Sequence, residues 1–366
     1  MRILHAHLLR QFGTVFAGSA LTLLFILLAG RGLIQMADLV FNKNVDPLLV
    51  GQILLYSTPF ILTFVIPMSV LVATLLTFGK LSHDNEIIAM RASGIGLVRI
   101  AAPLVLTIVS LCLVSYLLSD RVASASHYAY RRLLLRIGFE NPAAALEEGT
   151  FIKKFKNFVI FIYEIDGNRL EGVRIYQPQE GEPTRTIIAE KGEIVSMPEE
   201  NMIKLRLLHG TSDEPDPKDP SKLYKLNFKT YDLPLYIAPI RDGEELGKKP
   251  KDMSVRELRA EIRRLGEAGI AATYPLSAEI HNKFALAFSS LGFVLIGIPL
   301  GITTRRSEKS VNFGIGLVLM TLYWVLLIGG KALAQKGVAP PLFSLQFSNF
   351  VIGGLGVTLF ARLARH

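Results

Sequence analysis

The 366-residue chain contains one cysteine, Cys112. It can therefore form no internal disulfide and no cysteine-based zinc site. Three motifs of catalysis are also absent: the phosphate loop G-x-x-x-x-G-K-[ST], the metalloprotease H-E-x-x-H and the nucleophile elbow G-x-S-x-G. Gly-Lys pairs occur at 79–80, 247–248 and 330–331, without the rest of a phosphate loop. The seven histidines are scattered and outline no metal set. The chain reads as a non-enzyme that binds no cofactor of its own.

Charge is missing in a patterned way. Asp, Glu, Lys and Arg are absent from six long runs, 11–30, 47–79, 100–119, 284–304, 310–330 and 337–361. A helix needs about 20 apolar residues to cross a bilayer core, and every run meets that length. Backbone groups in lipid must bond to one another, so such spans are helical. Six in one chain predict an integral membrane protein. Arg2 and Arg10 precede the first run as they would in a signal sequence, but the run is too long for one and no A-x-A site follows. It is read as a retained span. Proton-coupled carriers commonly hold ionisable residues at mid-membrane, and these runs have none. Transport by this chain would draw its energy from a partner.

The charge that is present lies between the runs. Residues 120–275 hold 25 basic and 25 acidic residues, so the net +9 belongs to the membrane portion. That balance argues against nucleic acid as a partner. Arg2, Arg10, Lys80, Arg91, Arg99, Arg305, Arg306, Lys309, Arg362 and Arg365 fall on one side if the chain crosses at every run. Lys43, Lys331 and Lys336 fall on the other. The positive-inside rule then predicts cytoplasmic termini and an outer, periplasmic central region. The expected architecture is membrane α + β: an N-terminal half with three spans (1–119), a β domain with flanking helices (120–275), and a C-terminal half with three spans (276–366).

Alternating polarity in the middle predicts strands at 157–168, ending in an Asp166-Gly167 turn, and within 172–178, 184–195, 201–210 and 221–233. Short strands at this spacing suggest a sandwich or open barrel. The stretch 120–138 is expected to prolong the third span. A capping box, Ser254 with Glu257, opens an amphipathic helix over 254–269 whose apolar stripe is Leu258, Ile262 and Leu265.

One stretch fits neither span nor strand: "GKLSHDNEIIAMRASGIG", residues 79–96. Ser82 or Asp84 can cap a helix over about 84–93, and Gly94 and Gly96 can end it. A helix of about ten residues is marginal in water and needs a docking surface. It is either a solvated connector or a coupling helix for a cytoplasmic ATPase.

"IPMSVLVATLLTFGKLSHDNEIIAMRASGI" and "SAEIHNKFALAFSSLGFVLIGIPLGITTRR" (277–306) resemble the lipopolysaccharide-export permeases of the LptF/LptG type. The likeness covers the chain, and "GKLSHDNEI" and "ENPAAALEEGTF" place it nearer the LptF side. The resemblance implies a heterodimer with a second six-span permease and a cytoplasmic ATPase dimer that carries ATP and Mg. It also implies a periplasmic jelly-roll-like domain that passes lipopolysaccharide from the bacterial inner membrane to a jelly-roll bridge protein. Asp84, Glu86, Ile87, Met90, Arg91 and Gly94 would form the coupling helix. In the expected arrangement Glu86 meets a basic residue of the ATPase, while Ile87 and Met90 fill an apolar floor. Candidate substrate contacts are Arg31, near the outer end of the first span, Lys283, where the family commonly has Arg, and the strand face Phe158, Ile160 and Ile162. Competing readings are an ABC-type permease for another lipid or lipoprotein, and a membrane assembly scaffold without transport.

Overall fold

The computed structural model describes residues 2–30, 45–140, 151–152, 158–166, 169–179, 182–197, 202–215, 223–236, 247–267, 273–303 and 309–365. Its helices are α1 (Arg2–Leu28), α2 (Pro47–His83), α3 (Glu86–Ala92), α4 (Leu97–Leu117), α5 (Ser124–Glu140), α6 (Val255–Glu267), α7 (Tyr274–Thr303), α8 (Lys309–Gln335) and α9 (Pro341–Arg365). A π-helical turn, Leu118–Ala123, joins α4 to α5. Six segments are long and apolar enough to cross a membrane, at the six charge-free runs. The 37 residues of α2 amount to about 55 Å of helix, more than a bilayer core requires. Pro59 and Pro67 both lie inside this helix without ending it.

Contacts divide the chain into two compact units, 1–33 with 54–129 and 248–366, and 34–53 with 130–247. The first unit holds the spans. Its centre is α7, the most buried of the six spans, whereas α1 is the least buried. Small residues let the helices approach. A Cβ on Gly301 would stand 3.0 Å from the Leu75 carbonyl and from Phe78 Cβ. One on Gly356 would stand 2.7 Å from the Ile296 nitrogen. Tyr323, buried, and Asn349 both donate to the Ala285 carbonyl, at 3.2 and 3.0 Å. Leu21, Phe25 and Ile26 of α1 are more than half exposed, as befits a helix facing lipid or another membrane helix.

The second unit carries six strands: β1 (Phe151–Ile152), β2 (Val159–Asp166), β3 (Arg169–Gln179), β4 (Glu182–Met197), β5 (Met202–Pro215) and β6 (Leu223–Tyr236). They form one sheet in the order β1-β2-β3-β4-β5-β6, every pair antiparallel. Among the described residues the strands follow as an uninterrupted meander, without a crossover between distant strands. The predicted turn at 167 lies outside the described residues; Asp166 pairs with Arg169 on either side of it. Alternation sends one set of side chains into a shared core of Ile160, Ile162, Val173, Ile175, Ile187, Leu205 and Leu207, each fully buried. Gly172, at φ +64°, is fixed by a close approach: a Cβ there would lie 2.8 Å from Tyr163 Cδ2.

The capping box forms as read. The Ser254 amide donates to the Glu257 carboxylate at 2.8 Å, and the Glu257 amide donates to Ser254 Oγ at 3.3 Å. Residues 248–267 group with the spans rather than with the sheet.

Candidate functional site

The 79–96 stretch folds as a break, a short helix and a second break. α2 runs to His83, past the predicted cap at Ser82, and Asp84 stands in the turn before the next helix. Ser82 is buried, and its hydroxyl donates to the Ile302 carbonyl of α7 at 2.9 Å, so it ties two spans together instead of capping. Asn85 is the N-cap of α3, in the left-handed conformation at φ 58°, with no side-chain cap. Asn and Asp adopt that region more readily than other non-glycine residues.

The exit is a Schellman motif, as Gly94 promised. The Gly94 amide donates to the Arg91 carbonyl at 3.0 Å and the Ile95 amide to the Met90 carbonyl at 3.1 Å. Gly94 has φ +83°, and Ile95 packs against the cluster that contains Met90. Seven residues cannot sustain a helix in water, so docking must hold α3. Ile87 and Met90 do this from within the chain. They are 3% and 9% exposed, in a cluster with Leu8, Phe12, Leu97 and Ile100.

That placement corrects the expected division of labour. Ile87 and Met90 face the chain's own core and offer no apolar floor to another protein. Ile88, 41% exposed, is the apolar residue on the open edge. The Glu86 side chain is 42% exposed beside it, 3.7 Å from His7 Nε2, and Asp84 is exposed while Arg91 is half-buried. Sequence reasoning assigned the inner face because Glu86 and Met90 are four apart. It missed that Ile87 and Ile88, about 100° apart around the helix, must point to different sides.

A second polar constellation lies where α4, α6 and α7 end or begin. Lys283 is 3% exposed. Its ammonium donates to Ser124 Oγ and to the Met253 carbonyl, each at 2.6 Å, and lies 3.5 Å from Asp120 Oδ1. An ammonium has three N–H donors, and these three acceptors occupy them. Asp120 Oδ1 also accepts from the Val255 amide at 2.6 Å, fixing the first turn of α6. Lys283, proposed from sequence as a substrate contact, is an internal tie in this structure. Next to it, Glu279 is paired with Lys331 at 2.8 Å and accepts from Asn282 at 3.4 Å. A cavity of about 120 Å³ opens among these groups, walled by Phe60, Phe64, Leu286 and Trp324.

Glu279 and Asp120 were not singled out from the sequence, and Lys331 entered only as a basic residue of the outer side. The charge-free run begins at 284, while α7 begins ten residues earlier, so two charged residues enter the helix's buried start. The i, i+4 spacing of Glu279 and Lys283 was the available signal. Of the remaining candidates, Ile160 and Ile162 are fully buried in the sheet core and Phe158 packs on its edge. Arg31 lies outside the described residues. Among the described residues no group of three or more His, Cys, Asp or Glu side chains could hold a metal ion.

The family described as "Lipopolysaccharide export system permease LptF/LptG" matches residues 6–362. The lipopolysaccharide export system permease protein LptF of Escherichia coli K12 is 22% identical over 351 residues, covering 93% of this chain and 91% of that protein. LptG of the same strain is 25% identical over 318 residues, covering 83% and 86%. A protein of Rickettsia prowazekii, RP871, is 22% identical over 156 residues, 42% of this chain. Six spans in two groups of three, a β domain between them and a match running almost from end to end are one pattern, and the chain belongs to the LptF/LptG permease family.

Proposed function

We propose that this chain is a non-catalytic permease subunit of an ATP-driven lipopolysaccharide exporter, embedded in a bacterial inner membrane. Its termini lie in the cytoplasm and its sheet in the periplasm. A second six-span permease of the same family completes a heterodimer, and a cytoplasmic ATPase dimer supplies ATP and Mg. The bridge protein that receives the lipid is itself a periplasmic β domain. The observation that carries the reading is α3, held to the spans by Ile87 and Met90 while Glu86 and Ile88 stay open. A rigid lever needs that arrangement: one face bonded to the moving helices, the other free for a motor.

Coupling then works through packing. Movement of the ATPase pushes on Glu86 and Ile88, and the buried pair transmits it to Leu8 and Phe12 of α1 and Leu97 and Ile100 of α4. In the β domain Phe158, Ile160 and Ile162 are the proposed lipid-facing strand, and the sheet must open for them to be reached. Arg31 is retained as a candidate for phosphate contact. The test is a photo-crosslinking residue at Ile88, with Ile87 as the paired control. Capture of the ATPase from position 88 and none from 87 is expected. Capture from both or from neither refutes the lever. Glu86→Lys should abolish transport-coupled ATP use while membrane insertion persists.

A further inference from the structure

Helix α6 is sorted into three strips. Val255, Leu258, Ile262 and Leu265 form the apolar one, which packs with Leu276, Ile280 and Phe284 of α7 and Tyr116 of α4. Those partners occupy the first turns of one span and the last turn of another, so α6 lies at the level where two spans leave the apolar layer. Tyr274, 46% exposed at the start of α7, is an aromatic residue of the kind that sits at headgroup depth. The second strip is acidic and already neutralised, with Glu257 bonded to Lys248 and Glu261 to Arg264. The third is Arg256, Arg259 and Arg263, all exposed, with no ion pair or hydrogen bond among the described residues. Advancing about 100° per residue, these three arginines fall within roughly 60° of one another, on the flank away from Glu257 and Glu261, with the exposed Glu267 beside them at the helix end.

We infer that α6 is a membrane-surface helix whose Arg256, Arg259 and Arg263 hold the phosphates of anionic phospholipids at the edge of the span bundle. Three unpaired guanidiniums on a helix fixed at headgroup depth face a layer of phosphates, and a guanidinium pairs with a phosphate through two parallel N–H bonds. Glu257 and Glu261 are each bonded to a basic residue of the chain, while Arg256, Arg259 and Arg263 have no such partner among the described residues. The Asp120 bond to the Val255 amide and the capping box fix the roll of the helix, so the strip keeps its direction. This inference needs the chain to be a membrane protein and does not depend on what it exports.

The test uses the full chain in lipid nanodiscs, with Cys112→Ala and a fluorophore on Ala260→Cys, an exposed position beside the strip. Quenching is compared between spin-labelled phosphatidylglycerol and spin-labelled phosphatidylcholine at equal mole fractions. Phosphatidylglycerol should quench half-maximally at a mole fraction about tenfold lower, because each basic residue near an anionic surface adds attraction. The preference should fall to about twofold or less at roughly 0.5 M NaCl, where the Debye length is only a few ångströms. Arg256→Gln, Arg259→Gln and Arg263→Gln together should abolish it, whereas Lys251→Gln with Arg264→Gln should leave it. Equal quenching by the two lipids in the parent protein, a preference that survives the triple variant, or equal loss in the control overturns the inference. So does competition by inorganic phosphate beyond that of NaCl at the same ionic strength, which would mark a free-anion site.

Discussion

Replacing Lys283 by Met removes the ammonium and keeps nearly the same side-chain volume, which isolates the charge. The structure fixes what is lost: two hydrogen bonds of 2.6 Å and an ion pair of 3.5 Å. Removing one member of a buried ion pair costs about 3–5 kcal/mol when the other is stranded. Here the stranding is incomplete. Asp120, 16% exposed at the side chain, retains the Val255 amide, and the Met253 carbonyl retains Ser124 Oγ at 3.2 Å. The cost should therefore fall near the lower end, about 3 kcal/mol. Lys283→Arg should lose far less, because the adjoining cavity of about 120 Å³ can take the larger head and Asp120 can accept two of its N–H groups. The assay is hydrogen exchange in detergent, read at the amides of Val255 and Leu258, together with Trp324 fluorescence, since Trp324 walls the same cavity. Lys283→Met should speed exchange at the start of α6 by about a hundredfold, on the order of 3 kcal/mol, and shift the tryptophan emission. Lys283→Arg should leave both close to the parent. If the Met variant exchanges like the parent while Trp324 stays unshifted, the junction is not held by this lysine.

Three further outcomes are expected. Gly94→Val, at φ +83°, should cost about 1–2 kcal/mol, fray the end of α3, and weaken ATPase co-purification without loss of the spans. The carboxyl of Glu257 is held down to about 2, mainly by its hydrogen bond with Lys248. A carboxyl depressed in the folded state stabilises above its ordinary pKa of 4.5 and loses that contribution as pH falls toward 2, so protection of the Ser254–Leu258 amides should fall over that window and Glu257→Gln should flatten the dependence. A cysteine placed at Asp216 should be labelled from outside intact spheroplasts and one at Lys309 should not; labelling at 309 would invert the topology and remove the coupling argument.

The six spans were legible because exclusion of charge is a one-dimensional property: lipid tolerates none over about 20 residues, whatever the fold. The sheet was legible for a similar reason. One face of each strand is buried, and a period of two writes that face into the sequence, so the five longer strands appeared where alternation put them. The two-residue β1 has too few residues to carry a period. The capping box at Ser254 and the glycine stop at 94 were read correctly because each is satisfied by atoms within a few residues. Ser82 was misread because its partner, the Ile302 carbonyl, is 220 residues away.

The same distinction explains the misjudged face of α3. Glu86, Ile87, Ile88 and Met90 contain two apolar directions, and local spacing offers both. What chooses between them is the cluster of Leu8, Phe12, Leu97 and Ile100, gathered from α1 and α4 on either side. Burying two large apolar side chains is worth roughly 3–6 kcal/mol, far above anything a seven-residue helix gains from its own hydrogen bonds. Tertiary packing therefore sets the roll of α3, and the residues left outside are a consequence of that roll. Ile88 gains its place at the open edge because Ile87 is committed to the core. The proposed lever would be stiff for the same reason: a helix held only by a partner would follow the partner, whereas one already packed on two spans must move them. Substitutions at Ile87 and Ile88 should then fail differently. Loss of the buried residue loosens the lever from the spans, and loss of the exposed one loosens the motor from the lever.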